Sequence, residues 1–151
     1  MKEKETREIS WPIPCAECGK GRVAPTATSG RKTQYKTLPD LSVPDDLKVP
    51  TCNHCGMEWV DPASAKVIDA ALEPIYQQQL RQLVVEHLRH LSEHGVTQQR
   101  LERTLGLSQG YLSKIRSGTS NPSPMLVSVL ALLAVNPEQR LQEVEMASAA
   151  A

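Results

Sequence analysis

Hydrophobic and polar positions follow two different patterns on either side of residue 61. Residues 11–60 contain short β-type runs interrupted by Pro39, Pro44 and Pro50, so no long helix is expected there. Beyond residue 61, apolar residues recur at spacings of three and four, which is typical of amphipathic helices. The pattern predicts a small domain with short β-strands at 11–60 and a mainly α remainder. Residues 1–10 and 147–151 are predicted to be disordered ends.

Capping residues mark the predicted helix starts, because their side chains can accept a hydrogen bond from the first turn. These residues are Asp61, Thr97, Ser108, Ser123 and Asn136. Pro74 is read as a further start. We predict a linker helix at 61–74 and a five-helix domain at 75–146, with a single kinked helix over 61–94 as the alternative. The predicted helices cover residues 62–72, 74–94, 97–104, 108–118, 123–134 and 136–146.

Two matched C-x2-C-G turns contain all four cysteines of the chain. Four converging thiolates form a closed tetrahedral zinc site. We predict one structural Zn²⁺ per chain, which would stabilise a segment with little apolar core of its own. The ligands are Cys15, Cys18, Cys52 and Cys55. Disulfides, unlinked thiols, an iron–sulfur site or a redox pair are the alternatives, and His54 could replace one ligand.

Residues 97–118 have the pattern of two short helices joined by a tight turn, and the second helix is polar on one side and basic. This is the arrangement that places side chains in a DNA major groove, although a plain helical hairpin is the alternative. The net charge of the chain is zero, but residues 75–118 carry six Arg or Lys against three Glu. The local excess of positive charge favours DNA as the partner.

Position along the two helices predicts a role for each DNA-facing side chain. Gln109 can pair with an adenine edge, and Lys114 can reach guanine or a phosphate. Tyr111 can pack on a thymine methyl group or on the backbone. Gln98, Thr119 and Asn121 are expected to contact phosphates. The full predicted DNA-binding set is Gln98, Ser108, Gln109, Gly110, Tyr111, Ser113, Lys114, Thr119 and Asn121.

A single unit of this kind binds DNA weakly, so we predict a homodimer on a palindromic operator with half-sites about 34 Å apart. The run from Met125 to Leu133 is more apolar than one packed face requires, and this helix and the next are expected to form part of the dimer contact. No signal peptide or membrane-spanning run is evident, so a cytoplasmic protein without a membrane partner is expected. No enzymatic activity is expected, because the metal site is closed and no nucleophile–base pair or phosphate loop is evident.

Residues 97–122 resemble the helix-turn-helix of the Xre/Cro repressor family. Residues 15–62 are similar to the YgiT-type zinc finger of MqsA-type antitoxins, and residues 121–145 resemble the end of the helical module of those proteins. The resemblance implies a type II antitoxin whose zinc domain neutralises a cognate toxin, usually a ribonuclease, and whose helical domain represses its own operon as a dimer. A freestanding zinc-ribbon and helix-turn-helix repressor without a toxin is the alternative.

The resemblance also identifies departures from the family pattern. Gly110 and Lys114 lie where that family has a base-reading Asn and Arg, which implies a different operator sequence. Arg116 lies where such repressors usually carry Glu before the terminal glycine. The usual buried ion pair is therefore not expected.

Overall fold

The computed structural model describes residues 9–151. Most of the predicted disordered arm, residues 1–10, lies outside the described residues. The chain divides into two compact units, with the boundary between Tyr76 and Gln77. The fold class is as predicted: a small N-terminal region of short strands with a four-cysteine cluster is followed by five helices.

The first unit is built from two small antiparallel sheets. Strands β1 (Ile13–Pro14), β2 (Arg22–Ala27) and β5 (Lys48–Cys52) form a sheet in the order β1-β2-β5. Strands β3 (Lys32–Tyr35) and β4 (Leu38–Ser42) form a separate hairpin. Pro39 and Pro50 do not interrupt the extended runs as predicted, because they lie within β4 and β5, and Pro25 of β2 pairs with Pro50.

Helix α1, Pro62–Glu93, begins with the predicted cap, since the Ser64 N–H donates to Asp61 Oδ1 at 2.7 Å. The prediction of two helices is wrong and the alternative of a single helix holds, because α1 continues through Pro74. Proline removes one backbone donor and disfavours a helix interior by about 3 kcal/mol. Burial of Leu72 and Tyr76 on either side of Pro74 offsets that cost in the first unit.

The tip of the β3–β4 hairpin is anchored within the first unit. The Tyr35 hydroxyl donates to Glu73 Oε2 at 3.2 Å, and Lys36 forms an ion pair with the same carboxylate. Burial and the neighbouring Glu73 raise the pKa of Tyr35 to about 12. The hydroxyls of Thr37 and Tyr76 lie 2.8 Å apart and share a hydrogen bond. These contacts attach the hairpin to α1 at Glu73 and Tyr76, on either side of Pro74.

The second unit contains the rest of α1 and four further helices: α2 (Gln98–Thr104), α3 (Tyr111–Arg116), α4 (Pro124–Val135) and α5 (Pro137–Ala149). Two predicted caps are confirmed, since Thr97 accepts from the Arg100 N–H and Ser123 from the Leu126 N–H. Asn136 precedes α5 but makes no side-chain cap. Helix α5 runs beyond the predicted end at 146, into the predicted disordered tail, because alanine has the highest helix propensity.

One apolar core holds the five helices of the second unit together. Its buried members come from α1, the loop that follows it, and all four later helices. They are Val84, Leu88, Leu91, Val96, Leu101, Leu112, Ile115, Leu126, Leu130, Leu133 and Leu141. No helix within residues 9–151 is long and apolar enough to cross a membrane.

Candidate metal centre and nucleic-acid interface

The two Cys-x2-Cys turns are brought together by the register of the β1-β2-β5 sheet. The first turn lies between β1 and β2, and the second begins at the end of β5. Val23 of β2 pairs with Cys52 of β5, so the turns emerge side by side. A backbone N–H closes each turn, from Gly19 to the Cys15 carbonyl at 3.0 Å and from Gly56 to the Cys52 carbonyl at 3.1 Å.

The four sulfur atoms have the spacing of a tetrahedral metal site. All four lie within 4.8 Å of one another. The Cys15 and Cys55 sulfurs are 3.7 Å apart, and those of Cys18 and Cys52 are 3.8 Å apart. Four sulfurs about 2.3 Å from one central ion would lie about 3.8 Å apart in a regular tetrahedron. All four cysteines are free thiols, so the disulfide alternative is wrong. The cluster is therefore suited to one metal ion.

Backbone donors favour the thiolate form at this cluster. The N–H groups of Lys20 and Gly21 lower the pKa of Cys18 to about 6. Those of Cys55 and His54 lower the pKa of Cys52. The Met57 N–H also acts on Cys55, but desolvation and the three neighbouring sulfurs outweigh it and raise that pKa to about 12. Four thiolates this close can all be ionised only with a cation among them, because like charges repel.

Two tryptophans pack beside the cysteines. The rings of Trp11 and Trp59 meet edge to face with centroids 5.7 Å apart, and both contact the buried cluster of Cys15, Val23 and Cys52. His54, the alternative ligand, is exposed and lies outside the four-sulfur group. The two indoles are consequently natural reporters of the metal site.

Helices α2 and α3 are joined by a turn that depends on two glycines. Gly106 has a φ of +65° where α2 ends, and Gly110 has a φ of +80° directly before α3. The prediction that Ser108 caps the second helix is wrong, because the N-cap residue of α3 is Gly110. Glycine has no side chain that could accept a hydrogen bond from the first turn. Ser108 contributes only its carbonyl, which accepts from the Tyr111 N–H at 3.0 Å.

Glu102 supplies the cap that α3 lacks locally. This carboxylate on α2 is only 5% exposed. It accepts the Gly110 N–H at 2.9 Å and the Leu112 N–H at 3.1 Å. Burial raises the pKa of Glu102, but these N–H donors and the Gln98 amide outweigh burial, and the pKa is lowered overall. A buried anion therefore fixes the start of α3 against α2.

Gln98 links the same two helices through its side chain. Its Nε2 donates to Ser113 Oγ at 2.8 Å and to Glu102 Oε1 at 3.1 Å, while its Oε1 accepts from Arg116. Both amide hydrogens are thus used within the protein, although a phosphate contact was predicted for this residue. Arg116 makes no ion pair within residues 9–151.

The remaining predicted DNA contacts lie along the turn, α3 and the loop after it. Ser108, Gln109, Ser113 and Lys114 are exposed, and Gly110 and Tyr111 are half-buried. Helix α3 ends at Arg116, two residues before the predicted end at Gly118; Gly118 follows with a φ of +82°, and the Thr119 N–H donates to the Lys114 carbonyl at 2.9 Å. Thr119 and Asn121 follow in the loop, and both are exposed.

Two residues at this surface escaped the sequence reasoning. Glu102 belongs to no recognisable sequence motif. The only signal for it is the glycine at the start of α3, which cannot cap the helix and so leaves N–H groups that need an acceptor from elsewhere in the fold. Arg81 on α1 donates from Nη2 to Asn121 Oδ1 at 3.1 Å. Its distance in sequence from the helix-turn-helix gives no sign of that contact.

Comparison with known families agrees with this geometry. Residues 89–133 match the family described as Helix-turn-helix, of the Xre type. The second unit carries a DNA-binding helix-turn-helix. The match includes the end of α1, all of α2 and α3, and most of α4. A comparison with curated proteins finds no significant match.

Proposed function

We propose that this chain is a zinc-containing transcriptional repressor that binds operator DNA as a homodimer and serves as an antitoxin. The observation that carries the proposal is the helix-turn-helix match at 89–133 together with exposed Gln109 and Lys114. Gln109 would read an adenine edge, and Lys114 would reach guanine or a phosphate. The roles of the other predicted contacts belong to the same proposal.

The DNA contact is tested with an operator selected from a random-sequence duplex library. Lys114→Ala should weaken binding by about 1–3 kcal/mol and leave thermal unfolding unchanged. Arg89→Ala is the matched control, because it also removes one exposed positive charge from the second unit. Equal affinities of the Lys114 variant and the control would overturn the assignment.

Zn²⁺ is the metal that best fits four thiolates at these distances, and its role would be structural because no coordination position stays open. Four bonds to sulfur would hold two turns that belong to different strands, and no catalytic step is proposed. Native mass spectrometry should find one Zn²⁺ per chain. A metal-free chain after expression with zinc, or an iron–sulfur absorption spectrum, would contradict the proposal.

The proposed dimer uses an apolar stripe on α4 and α5. Met125, Leu132 and Met146 are 76%, 66% and 73% exposed. Val129, Leu132 and Val144 line an apolar groove of about 340 Å³. Large exposed apolar patches are typical of protein interfaces. Light scattering should give the mass of a dimer for the wild type and of a monomer for Leu132→Glu. A monomeric wild type at micromolar concentration would contradict this part of the proposal.

The antitoxin role rests on the order of the two units, a four-cysteine unit before a helix-turn-helix, and on the resemblance to MqsA-type antitoxins. The first unit would bind and neutralise the toxin, a ribonuclease by that resemblance. If an adjacent reading frame encodes the toxin, its expression should arrest growth, and this chain should relieve the arrest. Lys114→Ala should still relieve it, whereas Cys52→Ser should not. A neighbour without toxicity would favour the freestanding repressor.

A further inference from the structure

Arg81 occupies an unusual position beside the loop that follows α3. Its Nη2 donates to Asn121 Oδ1 at 3.1 Å. Its guanidinium packs against Gly118, since a Cβ placed on that glycine would lie 3.7 Å from Arg81 Cζ. The Nε atom is buried without a hydrogen-bond partner. No carboxylate within residues 9–151 forms an ion pair with Arg81.

Stability alone does not explain this arrangement. Partly burying a cation without an opposite charge is unfavourable. Arg100, in the same unit, shows the usual solution, because it forms ion pairs with Glu138 and Glu145. Arg81 instead donates a hydrogen bond to Asn121, an exposed side chain in the loop after α3.

The Arg81 contact determines which end of the Asn121 amide faces outward. With Oδ1 held by Arg81, the Nδ2 group and its two hydrogens point away from the guanidinium. An amide N–H is a suitable donor to a DNA phosphate oxygen, whereas the carbonyl end would repel it. Without Arg81 the amide could turn over and present its oxygen.

We propose that Arg81 is a positioning residue for DNA binding, which orients Asn121 so that its Nδ2 donates to a backbone phosphate. This inference rests on the proposed DNA-binding function. In this proposal Arg81 acts through Asn121: its Nε is buried, its guanidinium packs against Gly118, and its Nη2 is engaged by Asn121 Oδ1.

The test measures affinity for a short duplex of mixed sequence by fluorescence anisotropy, since phosphate contacts do not depend on sequence. Asn121→Ala should weaken binding about tenfold, and Arg81→Met about fivefold, as expected for loss of a hydrogen bond to a charged group. The double variant should bind no more weakly than Asn121→Ala alone, because both changes remove the same contact. Arg89→Met is the control for the lost charge.

The salt dependence of binding separates positioning from direct contact. The slope of log K against log salt should be the same for Arg81→Met and Arg89→Met. The inference would be overturned if the slope for Arg81→Met were smaller in magnitude by about 0.9 than the slope for Arg89→Met and the losses of affinity were additive in the double variant. That result would mean that Arg81 itself neutralises a phosphate.

Two further outcomes separate this inference from the function on which it rests. If the wild type binds and Arg81→Met binds as well as Arg89→Met, the inference fails and the proposed function stands. If the wild type does not bind at low salt, both fail. Should Arg81→Met lower the melting temperature, Arg81→Lys serves instead, since it keeps the charge but lacks the planar fork. The DNA affinity of Arg81→Lys should lie between the affinities of the wild type and of Asn121→Ala.

Discussion

Each of the two units of this chain has its own source of internal stability, and the two sources differ. The cysteine cluster of the first unit includes only one buried aliphatic residue, Val23, beside Cys15 and Cys52. The core of the second unit is a continuous set of buried aliphatic side chains from all five helices. A fold that depends on a metal fails when its ligands are lost, whereas an apolar core needs no ion. The region around the cysteines should therefore respond to metal removal, whereas the second unit should not. The rest of the first unit has buried apolar side chains of its own, among them Leu41, Val43 and Val49.

The largest expected effect follows metal removal. Chelation, or Cys52→Ser, should unfold the region around the cysteines, because structural zinc contributes on the order of 10 kcal/mol to folding. Trp11 and Trp59 pack against that cluster, so their fluorescence should change, while helical circular dichroism should persist. Unchanged tryptophan emission after complete loss of metal would show that the first unit does not depend on it.

The next effect concerns the buried cap in the second unit. Glu102→Ala should lower the free energy of unfolding of that unit by about 3 kcal/mol, because it leaves the Gly110 and Leu112 N–H groups without their acceptor. Thermal unfolding followed at 222 nm measures the change. Ser113→Ala is the control, since it removes a hydrogen bond of an exposed side chain. An equal effect of the two substitutions would contradict the capping role of Glu102.

A smaller effect is expected at the ion pairs between α2 and α5. Arg100 bonds to both Glu138 and Glu145, and its side chain is 25% exposed. Arg100→Met should lower the free energy of unfolding by about 1 kcal/mol, and less at high salt. Arg140→Met, which removes the exposed pair with Glu143, should have almost no effect. A salt-independent loss would point to packing of the arginine stem instead.

The smallest effect is a pH dependence confined to the second unit. The pKa of Glu102 is lowered in the folded chain, so the unfolded chain takes up the proton more readily. The stability that Glu102 contributes is present above the ordinary pKa of glutamate and is lost as the pH falls through its folded value. In the Glu102→Gln variant, the free energy of unfolding should therefore fall less steeply as the pH is lowered through the acid range. If the variant and the wild type showed the same pH dependence of the free energy of unfolding in the acid range, Glu102 would be excluded as the cause of that dependence.

Local chemistry allowed part of this structure to be predicted. The cysteine set follows from two matched turns, because the spacing within each turn brings its own pair together. The caps at Thr97 and Ser123 follow from side chains that bond within the first turn of their own helices. The glycine at the end of α3 was likewise readable from sequence.

The features that sequence reasoning missed depend on contacts between distant residues. Pro74 reads as a helix start, but burial of Leu72 and Tyr76 keeps the helix continuous. Ser108 reads as a cap, but Glu102 of the preceding helix takes that role. Arg81 lies far from Asn121 in sequence, and only the packing of α1 against the loop brings them together.

The most direct test of two independently stabilised units is the affinity of the full chain for mixed-sequence duplex DNA before and after chelation. The helix-turn-helix lies wholly in the second unit, whose apolar core contains no metal ligand. Affinity should therefore be unchanged even when the fluorescence of Trp11 and Trp59 reports that the region around the cysteines has unfolded. Loss of DNA binding together with the metal would contradict the separation of the two units.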